Sequence, residues 1–382
     1  MDFNKLSIVL VTNNYTPYQG GVVSSIKQQM KVLQELGHSV HLITLDFNPH
    51  LPAEQQVIRI FSPVRFHYKQ NPMAIPWLPT YTIQKLIKQI NPDIIHTHHP
   101  FLLGNAALKV AKKNSIPIVF TYHTLYHHYL HYIPLPHQVS NLLVEKQVTF
   151  FCRSVDGIIA PSTAIKELLE QKKYTTPARI IPSAVAPIFF KKKEKSNLES
   201  PIKLLTVSRF TKEKNLYFLL DVMAILNHHN YNLTLIGYGA EYNRLQEYAY
   251  SIKRLHIDRV RFVICPPEKQ LAHAYQTHDI FLFSSTTDTQ GIVIGEAMAS
   301  GMPVIAIDGP GQRDMIQHGI NGYLVKNKQE MVNAIEYVNN NQNVFQQLQH
   351  HAYQTAQRLL PNSVINQLCD FYQEVRTKTH IY

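Results

Sequence analysis

Short apolar segments of strand length alternate with segments of helical periodicity along almost the whole chain. Residues 6–11 are apolar and strand-like, residues 24–36 carry apolar side chains at helical spacing, and residues 40–45 are again strand-like. Neighbouring parallel strands need a crossover connection, which is usually a helix, so this alternation is typical of a parallel, doubly wound sheet. The pattern therefore predicts an α/β fold.

The alternation occurs twice, with an interruption near the middle of the chain. The first series ends near residue 181, and the second begins at residues 203–207, with a polar, charged stretch between them. We therefore expect two Rossmann-like domains, which suits a chain of 382 residues. The predicted bounds are residues 1–186 for the first domain, 187–200 for an interdomain linker, 201–360 for the second domain and 361–382 for a closing helical region.

The net positive charge of the chain comes entirely from its first half. Residues 1–195 contain 21 Lys and Arg against 10 Asp and Glu, whereas residues 196–382 contain 16 of each, so the net charge of +11 lies in the first half. A basic surface binds nucleic acid or an anionic membrane, or it only aids solubility. Because no nucleic-acid motif is present, an anionic membrane surface is the better specific interpretation.

Two other features bear on the compartment. No run approaches the roughly 18–20 apolar residues of a membrane span, and the first residues lack a signal-peptide pattern, so we expect a cytoplasmic protein. Three scattered cysteines, Cys152, Cys265 and Cys369, argue against a disulfide framework or a cysteine metal site.

Two acidic residues flank the start of a predicted helix in the second half. Asp288 lies in a polar turn after the strand-like residues 279–283, and Glu296 lies in the helix that follows. Backbone N–H groups at a helix N-terminus favour phosphate, whereas carboxylates accept hydrogen bonds from sugar hydroxyls. A nucleotide sugar carries both groups.

A basic pair occupies an earlier strand-to-helix turn. Arg209 and Lys214 follow the strand at residues 203–207 and suit a diphosphate, because arginine offers a planar fork and lysine a mobile point charge. Together they would offset the negative charge on a leaving nucleoside diphosphate. No Asp-x-Asp follows a strand to hold a divalent ion, so we expect neither a metal nor a cofactor.

These two motifs, Arg-x4-Lys and then acid-x7-Glu some eighty residues later, resemble the donor-binding half of the retaining GT-B glycosyltransferases. The resemblance extends to the first half, with Gly20-Gly21 after the first strand and His123 at the end of a later one. It implies two Rossmann-like, doubly wound parallel-sheet domains facing a central cleft, with residues 361–382 packing back on the first domain.

The resemblance also implies residue roles. Glu296 would hold the ribose hydroxyls, Asp288 the sugar, and His123 would orient the donor sugar without acting as a general base. Asp288 departs from the usual Glu and reaches one methylene less far. The expected catalytic residues are His123, Arg209, Lys214 and Asp288. The expected donor-binding residues are Gly20, Gly21, Arg209, Lys214, Gly237, Asp288, Gly291, Ile292, Val293 and Glu296.

An aromatic and basic segment follows His123. Either it is an ordinary packed loop, or it binds the acceptor at a lipid–water boundary, where amphipathic aromatic residues are favoured. Its candidate acceptor-binding residues are Tyr126, His127, His128, Tyr129 and His131. This segment and residues 288–291 look most like the lipid-directed branch of the family, which glycosylates diacylglycerol. A metal site at His96, His98 and His99 is disfavoured, since neighbouring strand residues point to opposite faces.

The sequence thus predicts a retaining, metal-independent hexosyltransferase that uses UDP-glucose and a lipid acceptor at the inner face of the cytoplasmic membrane. The nearest alternative is the same chemistry on a saccharide of an envelope polysaccharide. A sugar-nucleotide epimerase or phosphorylase, and a basic binding module without catalysis, remain open.

Overall fold

The computed structural model describes residues 5–18, 20–68, 71–126, 137–191, 198–226, 230–252 and 255–379. The chain forms two compact units. One comprises Met1–Ala184 with Pro361–Tyr382, and the other comprises Val185–Leu360.

The described part of the first unit contains a seven-stranded parallel sheet, a separate two-stranded antiparallel hairpin and helices. The elements are β1 (Ser7–Val11), α1 (Gly21–Glu35), β2 (Ser39–Leu45), β3 (Val57–Ile60), β4 (Val64–Tyr68), β5 (Asn71–Ile75), α2 (Pro79–Ile90), β6 (Ile94–Thr97), α3 (Leu103–Lys113), β7 (Ile118–Thr121), α4 (His137–Ser154), β8 (Gly157–Ala160), α5 (Thr163–Gln171), β9 (Ala178–Ile180) and, from the end of the chain, α13 (Pro361–Thr379). The strand order in the large sheet is β3-β2-β1-β6-β7-β8-β9, and β4 pairs with β5.

Helices cover both faces of this sheet. α1 and α13 share one core with the sheet, including Ile26 and Tyr372, and α2 to α5 share the other, including Ile83 and Phe151. Helix α13 lies so close to β8 that a Cβ added at Gly157 would be 2.8 Å from side-chain atoms of Phe371 and Val375. The last helix of the described chain is therefore part of the first unit.

The described part of the second unit contains a six-stranded parallel sheet with the order β12-β11-β10-β13-β14-β15. Its elements are β10 (Ile202–Val207), α6 (Leu216–Ile225), β11 (Tyr231–Gly237), α7 (Tyr242–Ser251), β12 (Val260–Ile264), α8 (Glu268–Thr277), β13 (Ile280–Phe283), α9 (Ile292–Ala299), β14 (Val304–Ile307), α10 (Pro310–Arg313), β15 (Gly322–Val325), α11 (Lys328–Asn340) and α12 (Gln342–Ala356). The prediction of two doubly wound parallel sheets is confirmed.

The start of the predicted linker belongs to the second unit. A 3₁₀ turn at Pro187–Phe189 buries Phe189 against Tyr275, with ring centroids 5.5 Å apart, so these residues are part of a packed core. The unit boundary falls between Ala184 and Val185. Residues 192–197 of the predicted linker lie outside the described residues.

Candidate functional site

The basic pair and the acidic turn of the second unit lie at the carboxyl ends of its two central strands. Arg209 and Lys214 follow β10, and Asp288 follows β13. These strands are neighbours, and the strand order reverses there, since β11 lies on one side of β10 and β13 on the other. Ligands of doubly wound sheets bind at such a switch point.

The two turns are joined by an ion pair. The Lys214 Nζ atom lies 2.7 Å from Asp288 Oδ1, across 74 residues of sequence, and Lys214 is 8% exposed. The sequence predicted separate ligands for these side chains, a diphosphate for Lys214 and a sugar for Asp288. The structure instead brings both charges to one place, where each orients the other.

Further hydrogen bonds fix the two turns against each other. Ser284 Oγ donates to the backbone carbonyl of Lys214 at 2.8 Å, and Ser285 Oγ donates to that of Glu213 at 3.3 Å. The buried amide of Gln312, in α10, donates to the carbonyl oxygen of Ser285. The positions of Lys214 and Asp288 are therefore fixed by side-chain hydrogen bonds to the backbone of both turns as well as by the attraction between the two charges.

The pKa of Asp288 is lowered below its usual value. Burial alone would raise this pKa, but Lys214, a hydrogen bond from Ser285 and the charge of Arg209 together outweigh burial. Asp288 is thus a carboxylate at neutral pH, able to accept hydrogen bonds from hydroxyl groups.

Arg209 is also oriented by an acid. Its Nη2 atom lies 3.3 Å from Oε1 of Glu213, four residues further along the chain, and both side chains are largely buried. Glu213 has no distinguishing signal in the sequence, because an acid next to two basic residues is common on protein surfaces. Here it holds the guanidinium beside the switch point.

Glu296 lies inside α9 and is buried. The Tyr275 hydroxyl donates to Glu296 Oε2 at 2.8 Å. Burial raises the pKa of Glu296 to about 7, against the lowering effect of the Tyr275 hydrogen bond. This carboxyl therefore changes charge close to neutral pH.

Two glycines shape this site. Gly291 precedes α9 with φ of 70°, a left-handed conformation that glycine adopts readily. The N–H groups of Gly291, Ile292 and Val293 form the start of that helix, where anions are favoured. A Cβ at Gly237 would be 1.8 Å from the Ser208 carbonyl oxygen, so this glycine, predicted as a donor contact, allows two backbone segments to approach closely.

In the first unit, the predicted glycines lie at the N-terminus of α1. Gly20 precedes the helix and Gly21 is its first residue. A Cβ at Gly20 would approach only the Tyr18 ring within 4 Å, at 3.3 Å. Packing therefore does not require glycine here, in contrast to Gly237.

His123 follows β7 and contacts a second histidine. Its Nε2 atom lies 2.9 Å from Nδ1 of His98, and the two rings stack with centroids 5.1 Å apart. Burial, with smaller contributions from His99 and His96, lowers the pKa of His123 to about 3, and burial lowers that of His98 as well. Both rings are neutral at pH 7, so one ring donates the shared proton and the other accepts it.

The neighbouring histidines belong to a hydrogen-bond network. His96 contacts Thr121 Oγ1 at 2.6 Å through Nε2 and the Tyr372 hydroxyl at 2.7 Å through Nδ1. His99 Nδ1 lies 3.2 Å from Thr12 Oγ1, across the β1–β6 switch point of the first sheet. Within the described ranges, no three His, Cys, Asp or Glu side chains converge as metal ligands would.

The structure places only one predicted acceptor-binding residue. Tyr126 packs between Phe101 and Tyr122, with ring centroids 5.2 and 5.7 Å away, and its hydroxyl is buried. Tyr126 therefore packs its largely apolar ring into the core of the first unit. This is what the packed-loop alternative predicts for it. His127, His128, Tyr129 and His131 lie outside the described residues.

Sequence reasoning missed Tyr275, Gln312 and His98 as parts of these sites. Each acts through a contact with a residue that is distant in sequence or on another element, as in the pair Tyr275–Glu296. A buried tyrosine or glutamine has no local sequence signal. His98 did have a local sequence signal, because it is two residues after His96 and two such residues of a strand point to the same face.

Comparison with known proteins covers both units. The family model described as "Glycosyltransferase Family 4" matches residues 19–187, and that described as "Glycosyl transferases group 1" matches residues 188–358. An alpha-monoglucosyldiacylglycerol synthase from Streptococcus pneumoniae is 31% identical over 86% of this chain and 77% of that protein. A protein of the same name from Acholeplasma laidlawii is 26% identical over 91% and 92%.

Solved structures share the fold at low identity. Sucrose-phosphate synthase from Thermosynechococcus elongatus has a TM-score of 0.79 and 20% identity, over 97% of this chain and 99% of that chain. Anabaena HepE in complex with UDP and glucose has a TM-score of 0.76 and 18% identity, over 96% and 99%. These matches, with the two sheets described above, establish two Rossmann-like domains of the GT-B type.

Proposed function

Because this chain belongs to the glycosyltransferases that join a family 4 domain to a group 1 domain, and is related to diacylglycerol glucosyltransferases, we propose that it is a retaining hexosyltransferase. It takes glucose from UDP-glucose and transfers it to a membrane lipid such as diacylglycerol.

The observation that carries this proposal is the Lys214–Asp288 ion pair at the switch point of the second sheet. A cation, a hydroxyl-binding carboxylate and a helix N-terminus meet at the carboxyl ends of two adjacent strands. These are the groups that a sugar diphosphate needs, since its phosphates prefer cations and N–H donors and its sugar prefers a carboxylate.

The reaction follows from these contacts. The acceptor oxygen bonds to the anomeric carbon on the face from which the diphosphate departs, and the electrons of the broken C–O bond go to the diphosphate. The acceptor proton passes to the leaving phosphate oxygen. Lys214 and Arg209 stabilise the negative charge that grows on this oxygen, and this stabilisation acts in the transition state. Two fixed cations can do this without a metal ion, so we propose that neither a metal nor a cofactor takes part.

His123 has an orienting role in this scheme. A neutral imidazole with a pKa of about 3 is a poor proton acceptor at pH 7, but it still donates or accepts one hydrogen bond. His98 fixes its orientation at 2.9 Å. We assign His123 to a hydroxyl of the donor sugar.

Two observations support a lipid acceptor. The name alpha-monoglucosyldiacylglycerol synthase is shared by two relatives that this chain matches over 86% and 91% of its length. The excess positive charge in residues 1–195 favours an anionic surface. No helix in the described ranges is long and apolar enough to cross a bilayer. We propose a cytoplasmic protein that associates peripherally with the inner face of the membrane.

A transfer assay tests this proposal. UDP-glucose and other nucleotide sugars are incubated with detergent-dispersed diacylglycerol or with soluble saccharides, with and without EDTA, and the anomeric configuration of the product is determined by NMR. We expect an α-glucosyl lipid and unchanged rates in EDTA. Transfer to saccharides alone would favour the polysaccharide alternative, donor interconversion without acceptor would indicate an epimerase, and no turnover with any donor would leave a binding module.

A further inference from the structure

The β4–β5 hairpin presents an apolar face to solvent. In its register Val64 pairs with Ile75 and Phe66 with Met73, so these four side chains share one face. Their exposed fractions are 50%, 51%, 44% and 42%, in the same order. The solvent face of an antiparallel pair is normally polar. This one is apolar throughout its described side chains.

The opposite face of the hairpin anchors it to the first unit. Ala74 is buried in the core that also contains Ile83 and Phe151. Arg65 donates to the carbonyl oxygen of Asp46 at 2.9 Å and forms an ion pair with the Asp46 carboxylate. The outward direction of the apolar face is therefore set by packing and by an ion pair on the inner side.

Large apolar side chains continue beyond the hairpin. Phe61, Trp77, Leu78 and Tyr81 are all exposed, Trp77 by 62%, and the Trp77 N–H donates to the Phe61 carbonyl oxygen at 2.9 Å. We call the eight side chains the apolar patch: Phe61, Val64, Phe66, Met73, Ile75, Trp77, Leu78 and Tyr81. Eight exposed apolar residues within 21 consecutive positions, 61–81, form a concentration that usually marks an interaction surface.

The stretch of sequence that contains the apolar patch carries charge of one sign. Between Glu54 and Asp93 the sequence contains no acidic residue and has five basic residues. Tyr81, Lys85 and Lys88 are exposed at positions i, i+4 and i+7 of α2, and therefore share one helical face. Two lysines thus continue the surface that Tyr81 begins.

The neighbouring helix adds to this charge. The Gln84 side chain of α2 and the Asn114 side chain that follows α3 exchange two hydrogen bonds of 3.1 Å, so the helices pack side by side. α3 carries the exposed Lys109 and Lys113. The hairpin, α2 and α3 all pack on the same face of the sheet.

We propose that the apolar patch inserts into an anionic lipid bilayer, with Lys85 and Lys88 contacting its headgroups. Tryptophan and tyrosine are favoured at lipid–water boundaries, and lysines attract anionic lipids. A protein partner would explain less well why residues 55–92, which contain the apolar patch, include no acidic residue. The inference deepens the proposed function, because membrane insertion would bring the enzyme to a lipid acceptor. Only the identity of that acceptor rests on the proposed function; the insertion itself does not.

Trp77 allows a direct test, because it is the only tryptophan in the chain. The full-length protein is mixed with vesicles of phosphatidylglycerol and phosphatidylcholine, and its tryptophan emission is recorded. We expect a blue shift and quenching by lipids brominated near the headgroup. Co-sedimentation with vesicles without any change in emission would show that another surface binds, and no co-sedimentation at low salt would overturn the proposal.

A matched pair of double variants tests the patch itself. Phe66→Ser with Met73→Ser should lower the vesicle partition coefficient by about tenfold or more, because two apolar side chains no longer leave water on binding. The control is Ile225→Ser with Ile320→Ser in the second unit, where the side chains are 43% and 49% exposed, and it should bind like wild type. Circular dichroism and thermal unfolding verify that both variants fold. Equal partitioning of the two variants would refute the role of the patch.

Two readouts separate this inference from the proposed function. Transfer to detergent-dispersed acceptor tests the chemistry and should be unchanged in the Phe66→Ser, Met73→Ser variant, whereas transfer to acceptor within vesicles should fall. Wild-type transfer in detergent without any vesicle binding would reject the inference alone. Analytical ultracentrifugation tests the other occupant: a wild-type dimer that becomes a monomer in the variant, without vesicle binding, would show that the patch joins two copies of the chain.

Discussion

Lys214 and Asp288 depend on each other, which affects how substitutions at either position are interpreted. Lys214 is almost buried, and its ammonium group helps to keep the pKa of Asp288 low. Removing the lysine therefore removes a cation from the site and leaves a buried carboxylate with less compensation. Catalytic and structural effects must be measured separately.

Lys214→Ala should reduce turnover by about 10²-fold or more, the scale of losing one electrostatic contact in a transition state. It should also lower the free energy of unfolding by about 1–3 kcal/mol, since a buried partner is lost. Lys212→Ala is the control, because Lys212 lies on the same 3₁₀ turn but is exposed. Arg209→Ala should reduce turnover similarly. Steady-state kinetics and denaturant unfolding provide the measurements, and near-wild-type turnover in both site variants would remove the diphosphate contact from the mechanism.

Asp288 and Glu296 should differ in what they bind. Asp288→Asn should weaken binding of UDP-glucose while UDP itself still binds, because the lost carboxylate is assigned to the sugar. Glu296→Gln should weaken both ligands, because the ribose is common to them. Calorimetry with each ligand decides the matter. Equal losses for UDP and UDP-glucose in Asp288→Asn would show that Asp288 is no sugar contact.

Glu296 should make stability depend on pH in an unusual direction. The pKa of this carboxyl rises from 4.5 to about 7 on folding, so between these pH values the folded state binds more protons than the unfolded state. The free energy of unfolding should therefore fall as pH rises through this window, by about 3 kcal/mol in total. Glu296→Gln should remove this component. Denaturant unfolding of both proteins from pH 4 to 8 measures it, and parallel curves would contradict the raised pKa.

At the scale of elements, the sequence predicted strands and helices where their period was clear. β1, α1, β2 and β10 lie within a few residues of their predicted positions. Residues 46–92 received no prediction, and they contain β3, β4, β5 and α2. β4 does alternate apolar and polar side chains, but each strand of the hairpin is only five residues long, pairs in the described chain only with the other, and exposes its apolar face to solvent. α2 begins at Pro79 after Leu78 in a left-handed conformation, without a side-chain cap.

The candidate site was likewise predictable in part, in the identity of its residues but not in their contacts. Residue type and position after a strand were enough to select Arg209, Lys214, Asp288 and His123. The pairing of these residues was not predictable, because Lys214–Asp288 and His98–His123 are contacts between loops of different strands. Such contacts depend on the order of strands in the sheet, which no local pattern encodes.

The basic residues of α3 should contribute a salt-sensitive part of vesicle binding. Lys109→Gln with Lys113→Gln should weaken binding to anionic vesicles at low salt and leave nucleotide affinity unchanged. Lys112 forms a 2.6 Å ion pair with Asp156, so we expect substitution of Lys112 to weaken vesicle binding less than substitution of Lys109 or Lys113. Salt shortens the Debye length to about 10 Å at 0.1 M and should reduce the difference from wild type. Lys269→Gln with Lys326→Gln, in the second unit, is the control, and an equal loss there would indicate only a net-charge effect.

For the whole molecule, α13 is a structural part of the first unit. Tyr372 bonds to His96, Arg376 bonds to Asp93 at 2.7 Å, and Arg179 bonds to Glu374 at 2.6 Å. The helix thus connects the last described residues to strands and loops within the first 184 residues of the chain.

A chain truncated after Leu360 should lose the stability of the first unit selectively. The apolar face that α13 covers would be exposed, so we expect a lower or missing unfolding transition for this unit. UDP binding, which we assign to the second unit, should persist. Calorimetric unfolding and UDP titration of the truncated chain test both expectations. An unchanged thermal profile would show that α13 contributes little.

The discontinuity of the first unit has a consequence for synthesis on the ribosome. Val185–Leu360 is continuous and can fold as soon as it has emerged, whereas the first unit is complete only when Pro361–Tyr382 has been made. Until then its α1 face, including Ile26 and Leu33, lacks its partner helix. The nascent chain therefore carries an uncovered apolar surface through the synthesis of the entire second unit. The first half to be made is the last to be completed, and that interval is when chaperones have most to bind.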